Sequence, residues 1–91
     1  MAFAIICLDK PGHLELRKAN RDAHLAHIAS TDGAITAAGP FLDADGAMCG
    51  SLLIYDGEDR AAVEAWCAAD PYAAAGLFQS VEIRAWKKVI G

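Results

Sequence analysis

The three cysteines, Cys7, Cys49 and Cys67, form no CxxC pair. An odd, widely spaced set argues against a disulfide framework and against a zinc site. Reduced thiols packed as small apolar groups are expected instead, and with them a cytoplasmic location. A basic block is also missing: eight lysines and arginines are scattered among twelve acidic residues, for a net charge of −4. A phosphate-tracking nucleic-acid surface needs a basic face, so no nucleic-acid partner is expected. No apolar run approaches the roughly 18 to 20 residues of a membrane span. The apolar start, Met1 to Leu8, has no basic lead and runs into Asp9 and Lys10, which reads as a strand and not as a signal peptide. Glycine-rich phosphate loops, dinucleotide fingerprints, paired metal-ligand motifs and the GxSxG nucleophile elbow are all absent. Serine and proline are too sparse for a disordered chain.

What is present is alanine. Hydrophobic residues make up 55% of the 91 positions, and alanine supplies 20 of them. Alanine favours helix and close packing but adds little core volume. A folded monomer of this mass exposes roughly 5,000 Å² and buries a little under two-thirds of its unfolded surface, near the lower limit for an independent core. One layer of helices on one sheet suits this composition better than two packed sheets.

Residues 2–8 are apolar on both alternating faces, the pattern of a central strand. Residues 13–31 read as one long helix. Leu14, Leu25, Ile28 and Ala29 fall in its apolar arc, Arg17, Arg21 and His24 form a row at the edge of that arc, and His27 lies further toward the polar side. Gly33 is the candidate for its C-terminal cap. Residues 34–39 form a weak strand ending at Gly39 and Pro40. After a turn at residues 43–46, residues 48–55 form a second strand of a hairpin. Asp56 is expected to cap the second helix, whose apolar stripe is Val63, Trp66 and Cys67, with Asp59 near its positive end. Asp70 and Pro71 start a short helical turn closed by Gly76. Residues 77–86 alternate, with Leu77, Val81, Ile83 and Ala85 on one face and Phe78, Glu82, Arg84 and Trp86 on the other. The order β-α-β-β-α-β predicts an α+β, ferredoxin-like sandwich, a four-stranded antiparallel sheet with both helices on one face. The other face keeps apolar residues that cannot stay in water, so a homodimer packed sheet to sheet is expected.

Few residues can carry chemistry. His24 sits at the boundary of the helix's buried and exposed faces, and histidine is the side chain suited to proton transfer near neutral pH. Arg17 and Arg21 would disfavour its protonated form and a nearby carboxylate would favour it. An ordinary surface histidine fits the same periodicity, and His13 and His27 are weaker candidates. Asp70 is the best partner, although an N-cap before Pro71 explains an aspartate there equally well. One carboxylate oxygen can cap while the other orients an imidazole. Gly39-Pro40 and Gly50-Ser51 read as turn chemistry or as places where a substrate approaches the backbone, with the Ser51 hydroxyl as a donor. Phe41, Tyr72, Phe78 and Trp86 read as core or interface.

Arg21-x-x-His24-Leu25, Gly39-Pro40, Gly50-Ser51 and Asp70-Pro71-Tyr72, followed by an alternating strand ending at Trp86, occur in an order that resembles the YciI-like (YCII-related) family, with Arg17 at the position of the family's earlier helix arginine. The resemblance runs over essentially the whole chain and implies one domain, 1–91, forming a dimeric α+β barrel. It implies a His–Asp site made of His24 and Asp70, with Arg21, Gly39, Pro40, Ser51 and Pro71 lining or supporting it. Related barrels include muconolactone-isomerase-like enzymes. The expected function is cofactor-free, metal-free proton transfer of isomerase or lyase type on a small anionic or cyclic organic molecule. His24 acts as acid and base, Asp70 orients it, and Arg17 or Arg21 binds a carboxylate or enolate oxygen. The alternative is a non-catalytic ligand-binding or interaction module using the same cleft. A haem- or metal-dependent barrel oxygenase is less favoured.

Overall fold

The computed structural model describes residues 1–91. Its elements are β1 (Ala2–Asp9), α1 (Leu14–Ala19), α2 (Arg21–Ala29), β2 (Ile35–Leu42), β3 (Met48–Asp56), α3 (Arg60–Ala68), α4 (Pro71–Ala74) and β4 (Phe78–Trp86). The strands form one antiparallel sheet in the order β2-β3-β1-β4. The chain is thus an α+β, ferredoxin-like fold in which the expected first helix is split into α1 and α2, and the expected second helix and short helical turn appear as α3 and α4.

Strand register assigns the two faces. Ile5 pairs with Leu53 and Ile83, and Cys7 with Ser51 and Val81, so these side chains share the helix-covered face. Phe3, Ile5, Cys7 and Leu53 form the core with Val63 of α3, and Ile28, Trp66 and Cys67 close over them. Ala4, Ile6, Leu8, Leu52, Ile54 and Trp86 look the other way. Leu8 is 47% exposed, Leu52 38% and Trp86 39%.

Several local expectations change. The helix expected over 13–31 is kinked at Asn20, whose backbone leaves helical geometry (φ −108°, ψ 6°) while its side chain donates to the Leu16 carbonyl at 2.9 Å. An asparagine that bonds the preceding turn competes with the regular ladder. The buried stripe also differs from the apolar arc: Leu25 is 43% exposed, whereas Arg17 is 3% and His24 6%. The row Leu14, Arg17, Arg21, His24, Ile28, spaced three and four apart, is the one that borders the sheet, and Arg17 and His24 find buried partners there while Arg21 stays exposed. α2 stops at Ala29 with Ser30 as its cap, and Asp32 and Gly33 both take left-handed backbone in the turn beyond.

β2 does not end at Gly39-Pro40. It continues to Leu42, with Gly39 opposite Leu52 and Pro40 opposite Ser51. Proline fits here because β2 is an edge strand. Asp56 is the last residue of β3, and Asp59 caps α3 by accepting from the Ala61 amide at 3.0 Å. A register shift between Leu8 and Asp9 moves Phe78 off the face of Glu82 and Arg84 and into the core layer, where its ring meets Tyr72 edge-on. Gly50 lies so close to β1 that a Cβ would collide with the Cys7 carbonyl oxygen. The short α4 is closed at both ends as expected. Asp70 caps its start, and at its end Gly76, with φ 78°, lets its own amide reach Ala73 and the Leu77 amide reach the Tyr72 carbonyl.

Candidate active site

A cleft of about 160 Å³ lies between α1–α2 and the β2–β3 hairpin. Its polar end holds Arg17, Arg21, His24, Ser51 and Tyr72, and its apolar wall holds Leu25, Ile28, Met48 and Leu53, with Ala38, Gly39 and Pro40 along the strand edge. An apolar cavity of about 150 Å³ holds one benzene ring. The space therefore suits a molecule built on a single ring.

The His24 side chain enters from α2. Its Nδ1 lies 2.9 Å from Asp70 Oδ1 and 3.0 Å from Oδ2, with both residues buried. A carboxylate accepts, so Nδ1 donates to Asp70, and in the neutral imidazole Nε2 carries the lone pair. Asp70 is fixed in turn because Oδ1 also accepts from the Tyr72 amide at 2.9 Å, which is the N-cap bond of α4. Capping and orienting, the two roles the sequence leaves open for this aspartate, coexist in one side chain. Pro71 occupies the first turn of α4 and does not line the cleft; it holds Asp70 in extended backbone, the conformation a residue before proline prefers.

Arg17 reaches the cleft from α1 and is held from below. Its Nε donates to Asp9 Oδ2 at 2.6 Å and its Nη2 to Asp9 Oδ1 at 2.9 Å and Ser51 Oγ at 2.8 Å. Burial alone would lower the Arg17 pKa, but the forked bond and charge of Asp9 more than reverse this and push it up. Removing one partner of such a buried pair costs about 3–5 kcal/mol, so the guanidinium is a fixed positive charge. Its carbon stands 4.7 Å from the centre of the Tyr72 ring, and the same ring stacks on His24 at 4.0 Å and 17°. Arg21, by contrast, is exposed at the cleft mouth and makes no ion pair.

Every fully buried side-chain nitrogen and oxygen has a partner. His24 Nε2 has none within the chain, and the Tyr72 hydroxyl has no acceptor there, since the Arg17 guanidinium beside it can only donate; both residues line the cleft. Burial raises the Tyr72 pKa first, Arg17 and Arg21 pull it back, and the net direction is up, which keeps the phenol protonated. Cys7 and Cys67 offer no nucleophile, because burial pushes Cys7 up to about 12 and Cys67 up to about 11. No three His, Cys, Asp or Glu side chains converge as a metal site would require.

The structure thus brings together His24, Asp70, Arg17, Arg21, Gly39, Pro40 and Ser51. Two participants escape the sequence reading. Asp9 looks like a turn residue, and only its position eight residues before Arg17 hints at a pair. Tyr72 looks like core, although its place directly after Asp70-Pro71 ties it to the His24 partner.

Comparison with known proteins bears on the same region. Over 98% of its length the chain is 36% identical to Protein YciI of Escherichia coli O6:H1, covering 99% of that protein. An uncharacterised protein of Haemophilus influenzae is 33% identical over the same shares. Among solved structures, 5-chloro-2-hydroxyhydroquinone dehydrochlorinase (TftG) from Burkholderia phenoliruptrix AC1100, in complex with 2,5-dihydroxybenzoquinone, superposes with a TM-score of 0.89 at 37% identity, covering 96% of this chain and 94% of that one. A Bacteroides thetaiotaomicron protein assigned as an antibiotic biosynthesis monooxygenase shares the fold alone, with a TM-score of 0.60 at 17% identity over 99% of this chain and 90% of that one. No helix of the structure is long and apolar enough to cross a membrane. The YCII-related domain model matches residues 1–87, and the chain belongs to the YCII-related family.

Proposed function

We propose that the cleft binds a small one-ring organic molecule bearing oxygen substituents and catalyses cofactor-free proton transfer on it, as an isomerisation or as elimination of HX. One observation carries the reading: His24 is oriented through Nδ1 by a buried carboxylate while Nε2 faces a ring-sized cleft flanked by Arg17 and Arg21. The likeness to a dehydrochlorinase bound to a dihydroxybenzoquinone supports the substrate class.

In this reading the Nε2 lone pair takes a proton from a substrate hydroxyl or ring carbon. The electron pair left behind becomes a C=O or C=C bond. In an elimination the pair of the C–X bond then leaves with X⁻. In an isomerisation the His24 proton returns at another carbon. Asp70 stabilises the imidazolium between the two halves, and Arg17 and Arg21 offset negative charge on the substrate oxygens. The test is turnover of chlorinated and non-chlorinated hydroxyhydroquinones by wild type and His24→Ala. Loss of at least about a hundredfold in kcat/KM is expected from removal of a general base. Undiminished turnover in the variant removes His24 from the mechanism, and stoichiometric binding without turnover by wild type makes the protein a binding module.

A second copy of the chain is the occupant we assign to the bare sheet face, because Ile6, Leu8, Leu52 and Ile54 form a continuous apolar surface on the two central strands. Light scattering should give about 19 kDa, twice the 9.6 kDa of one chain. A 9.6 kDa species at micromolar concentration contradicts it.

A further inference from the structure

We propose that Tyr72 is a catalytic residue of this cleft, whose phenol donates the hydrogen bond that holds a charged oxygen of a one-ring enolate or phenolate beside His24 Nε2. The inference rests on the small-molecule reading above and adds a residue and a ligand charge to it.

The argument starts from an uncommitted donor. Tyr72 is 1% exposed, and a tyrosine this deep normally gives its O–H to an acceptor. Here no group in the chain accepts it. The nearby guanidinium of Arg17 can only donate, and Asp70 is already occupied by His24 and the Tyr72 amide. A donor left open in a cleft fits a ligand that brings the acceptor.

The surroundings specify the charge of that acceptor. Arg17 stands over the Tyr72 ring and Arg21 lines the same cleft, so both cations act on the phenol, and Asp70 is the one carboxylate that does. Asp70 is matched to His24, and Asp9, the other carboxylate nearby, is matched to Arg17. One buried guanidinium, a second at the cleft mouth and a protonated phenol thus border an otherwise apolar space, the pattern of an oxyanion site. Ser51 adds a further donor, since its oxygen accepts from Arg17 and its own proton stays free.

The stack fixes the geometry. His24 and Tyr72 are nearly parallel at 4.0 Å and both line the same cleft. A planar ligand can then meet Nε2 with the group that loses a proton and the phenol with the oxygen that gains charge. As negative charge grows on that oxygen the hydrogen bond strengthens, so it favours the transition state over the substrate.

Tyr72→Phe keeps the ring, and so the stack, and deletes the hydroxyl. The experiment titrates wild type and Y72F with 2,5-dihydroxybenzoquinone, following its visible absorption band and the heat of binding. We expect Y72F to bind at least tenfold more weakly and to lose the band shift seen with wild type. The sequence has two tyrosines. Fluorotyrosine in a Tyr55→Phe background therefore labels Tyr72 alone, and its more acidic phenol should move the band in the direction opposite to Y72F. Y72F that binds as tightly as wild type with the same spectrum, or fluorotyrosine that leaves the band in place, overturns the assignment alone. Wild-type protein that leaves the probe's spectrum unchanged overturns the small-molecule reading, and this assignment with it.

Discussion

His24 and His27 stand three residues apart on α2 and are built from similar parts. Each imidazole stacks on an aromatic ring from the α3–α4 half of the chain, His24 on Tyr72 at 4.0 Å and His27 on Trp66 at 4.5 Å, with interplanar angles of 17° and 12°. Each uses one ring nitrogen to tie α2 across to that half. The difference lies in the acceptor and in what remains free. His24 donates from Nδ1 to a buried carboxylate and keeps Nε2 for the cleft. His27 donates from Nε2 to the Trp66 carbonyl at 2.8 Å, and the Trp66 indole returns a bond to the His27 carbonyl at 3.3 Å. A carboxylate holds an imidazole and also stabilises its charged form. A backbone carbonyl paired with a reciprocal indole bond mainly clasps two helices. A stacked, hydrogen-bonded histidine is therefore not by itself a sign of chemistry; the partner decides.

Two substitutions test that distinction. Asp70→Asn keeps an oxygen for the Tyr72 amide and so keeps the α4 cap, but it removes the charge that fixes the His24 tautomer. Activity should fall by roughly 10²- to 10⁴-fold, as in other His–Asp sites. Thermal unfolding should show the fold intact. An Asp70→Asn variant with near-wild-type turnover would make this pair as purely structural as the other. The smaller effect belongs to His27→Ala, which loses one hydrogen bond and one ring contact, worth together about 1–2 kcal/mol. Denaturant or thermal melts should register that loss while kcat/KM stays within about threefold of wild type. If kcat/KM instead drops as far as in Asp70→Asn, the clasp and the dyad are one unit and the contrast between the two histidines is lost.

The β-α-β-β-α-β order was legible because apolar alternation and Gly/Pro punctuation are local signals. His24 and Asp70 were legible because a histidine at a face boundary and an Asp-Pro pair are both conspicuous. What stayed hidden depends on long-range partners. Leu25, expected in the apolar arc, is exposed, and Arg17, expected at its edge, is buried, because Asp9 at the end of β1 and Ser51 on β3 compensate the guanidinium, which periodicity cannot register. The kink at Asn20 leaves the spacing of the Leu14–Ile28 row undisturbed, so the sequence pattern runs through it unmarked. Asp56 and Asp59 are the same residue type three positions apart, and only strand pairing with Ala2 shows that the first still belongs to the sheet. Phe78 follows the alternation of its neighbours in sequence, and only the register shift in β4 turns it inward.

The helix α4 is four residues long. Helices below about 12–15 residues do not persist alone, so this one lasts only while its two ends are tied. Yet its first turn presents the Tyr72 amide to Asp70, and Asp70 in turn steadies His24. One local opening of Pro71–Ala74 frees the amide to exchange with solvent and releases the imidazole's anchor at the same moment. Opening the turn also withdraws the buried Tyr72 ring from His24 and Phe78, so the packing of that one ring sets how often the site comes apart.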